Sequence, residues 1–145
     1  RGGSKCKHGV ITRLEAEGFQ VTCLEGRELA ETFTAPVQEL KARFDLILYV
    51  ANMVTGGNDT VNRLRYMPKA CGESPQLVRD IPTMFVSLGD PYHFLDVPMI
   101  RTFINCYNNS DAVLDCLIEK ITGRSPFYGI SPVDPFCGGI WGAAL

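Results

Sequence analysis

The sequence predicts an α/β fold, a mainly parallel sheet sandwiched between helices, and three observations carry that expectation. Residues 45–50, DLILYV, are an almost unbroken apolar run, as expected of a central parallel strand buried on both faces. Residues 83–88, TMFVSL, and 102–107, TFINCY, are two more short runs rich in β-branched and aromatic side chains. The stretches before and after them have helical periodicity. Strands alternating with helices imply right-handed βαβ crossovers and a sheet covered on both faces, a three-layer α/β/α sandwich.

Taken in order, the first element is a helix over 5–17, with Cys6, Val10 and Leu14 at four-residue steps, Ile11 beside them, and Gly18 as its stop. A domain of this kind should open with a strand that feeds its first helix. Either that first strand is missing or residues 1–4 are a cloning remnant. Residues 19–24 alternate Phe19, Val21 and Cys23 against Gln20 and Thr22, which reads as a strand with one better-buried face, near a sheet edge. A second helix is expected over 35–43, where Pro36 suits the first turn and Val37, Leu40 and Phe44 share one side.

After the DLILYV strand, Gly56 and Gly57 mark a turn, 61–67 reads equally as a short strand or a helix, and Pro68 ends either one. A short helix over 76–80 leads into the 83–88 strand. Pro91 and Pro98 forbid a long element before the next strand, while Gly89 and Asp90 favour a turn. In the last helix Ser110 is the N-cap, Asp111 sits in the first turn, and Val113, Leu114, Leu117, Ile118 and Ile121 form the buried face up to Gly123. The chain therefore reads as one domain over 1–145, of which 124–145 is an extended tail rich in Gly and Pro. With Phe127, Tyr128, Phe136, Ile140 and Trp141, the tail is too apolar to be left in solvent, and it should pack on this domain or on a neighbour.

Composition excludes several classes of function. At 145 residues, with 46% hydrophobic and 21% charged residues and a formal charge of −2, the chain is an ordinary globular protein with one core. Its cations are scattered among acids and form no stripe that would neutralise phosphates, so nucleic acid is not an expected partner. No apolar run approaches the roughly 20 residues of a membrane helix, and the first residues lack the apolar centre of a signal peptide. The location is left open between cytoplasm and secretion. Six cysteines show no CxxC and no zinc-finger spacing, so neither a metal nor another cofactor is expected. Cys23, Cys106 and Cys116 read as small buried hydrophobes.

In open α/β sheets ligands bind beyond the carboxyl ends of the strands, which directs attention to 51–58 and 87–93. The candidate ligand or interface loop comprises Ser87, Asp90, Tyr92, His93 and Asp96. Asp90 and His93 would make an acid–base pair, with Asp96 as a further carboxylate. The competing structural reading is stronger: Asp90-Pro91 is an ordinary turn start, Asp96 is placed to hold a backbone amide, and a single His suits a strand end. A glycosidase needs two carboxyl groups about 5–9.5 Å apart, and no pair here can be so placed from sequence. No residue is therefore assigned a catalytic role. Neither GxGxxG nor GxxxxGK[ST] follows a strand, and no GxSxG occurs.

Residues 87–98, SLGDPYHFLDVP, with TFINCY at 102–107 and SPVDPFCG at 131–138, resemble the carboxyl-terminal domain of glycoside hydrolase family three proteins of the β-N-acetylhexosaminidase-like branch. EGFQVT at 17–22 and DLILYVAN at 45–52 extend the similarity over most of the chain, and the motifs agree in order and spacing. The tail departs from the family pattern, because Trp141 is followed by Gly142, Ala143 and Ala144 rather than by Asp, Thr and Arg. The resemblance implies an α/β sandwich that packs against a catalytic barrel of the same protein. In that branch the nucleophilic Asp and the assisting His belong to the barrel, whose motifs do not occur in these 145 residues. The chain is then a non-catalytic, bacterial domain supporting hydrolysis of terminal N-acetylglucosamine, inactive alone, with Asp134, Phe136 and Trp141 as a tail interface that would also let two copies dimerise. The sheet is then flavodoxin/Rossmann-like, and the alternative is a free-standing flavodoxin-like module for a small ligand. An enzyme using Asp90 and His93 ranks last.

Overall fold

The computed structural model describes residues 2–32, 34–53, 64 and 77–138. In chain order these hold α1 (Gly2–Ala16), α2 (Gly26–Thr32), α3 (Val37–Arg43), β1 (Ile47–Ala51), β2 (Thr83–Ser87), a 3-10 helix (Pro91–Leu95), β3 (Thr102–Asn105) and α4 (Asp111–Ile121). The three strands form one parallel sheet in the order β1-β2-β3. This is an α/β sandwich, as the alternation of apolar runs and helical periods predicts.

Strand period fixes what each face of the sheet receives. Met84, Val86 and Ile104 join Leu48 and Cys106 on one face, packed with Val10 and Leu14 of α1 and with Leu114, Leu117 and Ile118 of α4. The two helices meet closely, since a Cβ on Gly9 would lie 3.1 Å from Leu114 Cδ1. Their exposed edge is fastened by Arg13, whose Nε donates to Asp115 at 2.6 Å and whose Nη2 lies 3.1 Å from the Asp111 carboxylate. Both carboxylates, Asp115 first, hold the guanidinium above its ordinary pKa, although the carboxylates are exposed and the contribution is screened. Arg124, just after α4, pairs with Glu17, just after α1.

The other face is aromatic. Register places Tyr49 opposite Phe85 and Phe85 opposite Phe103, so three rings stand side by side with centroids 6.3 and 5.2 Å apart. Phe94 of the 3-10 helix continues the row from Phe103 at 4.9 Å, and Phe136 meets Phe94 edge-on at 5.3 Å. Val97 and Ile100 close this cluster together with Ala51. Burial raises the Tyr49 phenol above its usual pKa of about 10. Among the described residues this face is covered by the 3-10 helix and irregular chain, whereas the sequence led us to expect an α-helical layer.

Several boundaries move for identifiable reasons. At the end of α1, Gly18 has φ +89°, and the Phe19 amide donates back to Leu14 O at 3.1 Å, a glycine cap that ends the helix where expected. The strand expected over 19–24 does not form. The Phe19 amide is used by that cap, Val21 rests on the helix–sheet cluster, and Lys7 ties Glu25 back to α1 at 2.7 Å. The segment is thereby led past the sheet into α2, a helix the periodicity did not suggest. Pro36 lies one place before α3 and leaves Leu40 fully buried.

β1 is not the central strand of the described sheet. β2 is, with Val86 and the following Leu88 fully buried, while Val50 of β1 is 37% exposed. The expected helix at 76–80 is a single turn, in which Asp80 and Ile81 both donate to Leu77 O. Cys23 and Cys116 are exposed and Cys106 is half-buried, so only the last approaches the buried role expected of all three. Cys116 lies beside Asp115 on the outer side of α4, opposite its apolar stripe. The readings at Gly56, Gly57, Ile140 and Trp141, and at 61–67 apart from Leu64, lie outside the described residues.

Candidate functional site

At the carboxyl end of the sheet, Ala51, Ser87 and Asn105 are register partners, one from each strand. Ser87 is fully buried, and directly after it the chain turns into the 3-10 helix. Asp90 is the N-cap: its Oδ1 accepts from the Tyr92 amide at 2.8 Å, and Pro91 fills a position where a missing N–H costs nothing. This brings His93, also fully buried, back over Ser87, with Nδ1 2.8 Å from Ser87 Oγ.

Proton accounting settles what this pair does. A serine hydroxyl has one proton, and that of Ser87 goes to the Asp90 carbonyl at 2.5 Å. Oγ can then only accept from the ring, so Nδ1 carries the hydrogen and donates. A nucleophilic serine needs the opposite arrangement, with its hydroxyl donating to a base. Ser87 and His93 instead cross-brace the turn after β2, while Asp90 Oδ2 stands 3.9 Å from His93 Nε2.

The remaining carboxylates also hold backbone. Asp96 Oδ2 accepts from the Leu64 amide at 3.0 Å, the role its place before Val97-Pro98 suggests. Asp134 Oδ1 accepts from the Phe136 amide at 2.8 Å, and its other oxygen from the Gly138 amide. The SPVDPFCG motif is thus a folded knot. Ser131 Oγ donates to Val133 O at 2.7 Å and meets the Tyr107 hydroxyl at 2.8 Å, and Cys137 and Gly138 both take positive φ.

The structure brings Ser87, Asp90, Tyr92 and His93 together in one turn, sets Asp96 at its exit, and places Asp134 and Phe136 in a separate segment joined to it through Phe94. Tyr92 is the exposed member, at 46%. Three residues that sequence reasoning did not single out lie at the same end. Asn109 donates to Asn52 at 3.0 Å, joining the segments after β1 and β3 across the end of β2, and the side-chain oxygen of Asn105 is buried with no donor among the described residues. The available signal was an asparagine at the carboxyl end of two of the strands, Asn52 directly after β1 and Asn105 as the last residue of β3.

Among the described residues no group of three His, Cys, Asp or Glu side chains could hold a metal ion, and no helix is long and apolar enough to cross a membrane. An open groove of about 480 Å³ lies at the opposite end of the strands, beside Leu46, Pro82, Thr83 and Arg101. None of the residues singled out above lines it.

No protein-family profile matches the chain. A β-N-acetylglucosaminidase/β-glucosidase of Cellulomonas fimi is 41% identical over 128 residues, which is 88% of this chain and 23% of that protein. Two solved structures of the β-glucoside phosphorylase BglX, one bound to 2FGlc, superpose with TM-scores of 0.77 at 37% and 38% identity. They cover 94% and 92% of this chain, and 24% and 23% of the BglX chain. The chain is an α/β sandwich and is similar to a portion of each of these proteins. It matches a carboxyl-terminal portion of a glycoside hydrolase family three protein. The chain spans about a quarter of the length of these relatives.

Proposed function

We propose that the 145 residues are a single α/β companion domain, with 124–145 as its tail, that supports a catalytic barrel of the same polypeptide and supplies no nucleophile of its own. The observation that carries this reading is the 2.5 Å contact of Ser87 Oγ with the Asp90 carbonyl, an oxygen that can only accept. The hydroxyl donates to the Asp90 carbonyl, so the one Ser–His contact at the candidate site braces a turn. Asp96 and Asp134 are likewise engaged by backbone amides. On this reading the loop presents Tyr92, its exposed member, to the barrel.

For the whole protein we propose hydrolysis of terminal β-linked N-acetylglucosamine, with β-glucosides as the competing substrate. Support comes from the motif resemblance and from the names of the relatives, which pair N-acetylglucosaminidase with glucosidase and include a β-glucoside phosphorylase. The test compares the full polypeptide with the 145-residue chain on chromogenic β-N-acetylglucosaminide and β-glucoside, with and without inorganic phosphate. Turnover is expected from the full polypeptide only. Turnover by the isolated chain that His93→Ala abolishes would overturn the companion reading, and a full polypeptide inert on both sugars would overturn the activity.

A further inference from the structure

Among the described residues the strongest apolar exposure lies between α4 and the SPVDPFCG segment, where Phe127 is 58%, Tyr128 85% and Ile130 91% exposed. Ordinary surface hydrophobes are scattered singly, whereas these occupy three of four consecutive positions.

The strip is not a loose end. On its amino side Lys120 Nζ donates to Pro126 O at 2.7 Å and to Ser125 Oγ at 3.3 Å, and lies 5.3 Å from the centre of the Phe127 ring. The amides of Arg124 and Ser125 both return to Glu119 O. On its carboxyl side Ser131 is tied to Tyr107. Both ends are thus fixed to the sandwich, while Tyr128 and Ile130 are almost fully exposed and Phe127, beside Lys120, is more than half exposed.

We propose that residues 127–130 are the surface on which the catalytic barrel of the same polypeptide docks, an inference that rests on the companion-domain reading and gives it a location. Area decides between this occupant and a second copy of the chain. With roughly 200 Å² for a fully exposed side chain of this size, the strip offers on the order of 450 Å². A stable association of separate molecules needs about 800 Å² from each partner. A tethered neighbour needs less, because linkage supplies an effective concentration in the millimolar range. The relatives carry about three quarters of their length outside the region matched here, so a tethered occupant is at hand.

The test places a photo-crosslinking amino acid at position 128 of the full polypeptide. Tyr128 is exposed, so the substitution should be tolerated. The expected product is an intramolecular link from position 128 to a peptide outside these 145 residues. That link should fall at least roughly tenfold in yield when Phe127→Ser and Ile130→Ser are added, and a control crosslinker at Glu15, on the exposed side of α1, should give none. Links confined to the 145 residues, links between two copies, or no links would each overturn the proposal. Assays of the same preparation separate the two readings. Activity on a β-glycoside without the link refutes the docking surface alone, and the link without activity refutes the proposed reaction alone.

Discussion

Replacing Ser87 by Ala should destabilise the domain by about 3 kcal/mol. The substitution nearly preserves volume, so the cost comes from hydrogen bonding. Nδ1–H of His93 loses its acceptor inside a site with no exposure, and the Asp90 carbonyl loses its donor nearer the surface of the turn. A buried polar group left without its partner costs about 1–3 kcal/mol, so we assign about 2 to the ring and about 1 to the carbonyl. In urea, with a slope near 2 kcal/mol/M for a domain of this size, the midpoint should fall by about 1.5 M with the slope unchanged. Nitrogen NMR of the wild type should show the His93 proton on Nδ1. A loss below about 1 kcal/mol, or a ring protonated on Nε2 alone, would refute the bracing assignment and reopen Ser87 as a nucleophile.

Phe85 lies at the centre of the aromatic row, so Phe85→Ala should cost about 3–5 kcal/mol, whereas Phe136→Ala, with one edge-on contact, should cost no more than about 1.5. Equal losses in urea melts would show that the row is not continuous. The raised folded-state pKa of Tyr49 makes its stabilising contribution fully present below the unfolded value near 10 and lost as pH rises past it. Stability followed from pH 8 to 11 should decline, and Tyr49→Phe should flatten the decline; an unchanged profile would mean that the phenol is solvated. Arg13→Ala should lower the melting temperature only slightly at low salt, by the ~0.5 kcal/mol of an exposed pair, and not at all in 1 M salt. A large, salt-independent loss would mean that Arg13 packs between the helices rather than merely pairing across them.

The three strands and α4 were legible because each is a short run whose period or apolar density is local. Depth was not. DLILYV is the more uniformly apolar run, yet TMFVSL became the central strand, because centrality is decided by neighbours that lie tens of residues away. The 19–24 alternation misled for a related reason: a strand needs a partner, and the cap at Gly18 had already used the Phe19 amide. At the candidate site the residues were legible and Asp96's hold on an amide was foreseeable from its place before Val97-Pro98. The bracing role of Ser87 was not, since it depends on which acceptor takes one proton. Sequence suggested that the apolar tail would pack on this domain or on a neighbour; the structure packs Phe136 against Phe94 and leaves Phe127, Tyr128 and Ile130, six to nine residues earlier, exposed.

The packing of α1 against α4 bears on how the protein is made. One apolar cluster takes Val10 and Leu14 from the beginning of the chain and Leu114, Leu117 and Ile118 from near its end, and Arg13 reaches a carboxylate 102 residues away. A growing polypeptide lacks three of the eight buried residues of that cluster until the last helix has left the ribosome. At 5–20 residues per second, several seconds pass in which the sheet face under α4 stays open. The domain should therefore commit to its fold late and all at once. A nascent chain stalled before residue 111 is expected to be digested readily by protease, and one stalled far enough beyond 121 for α4 to clear the exit tunnel to resist.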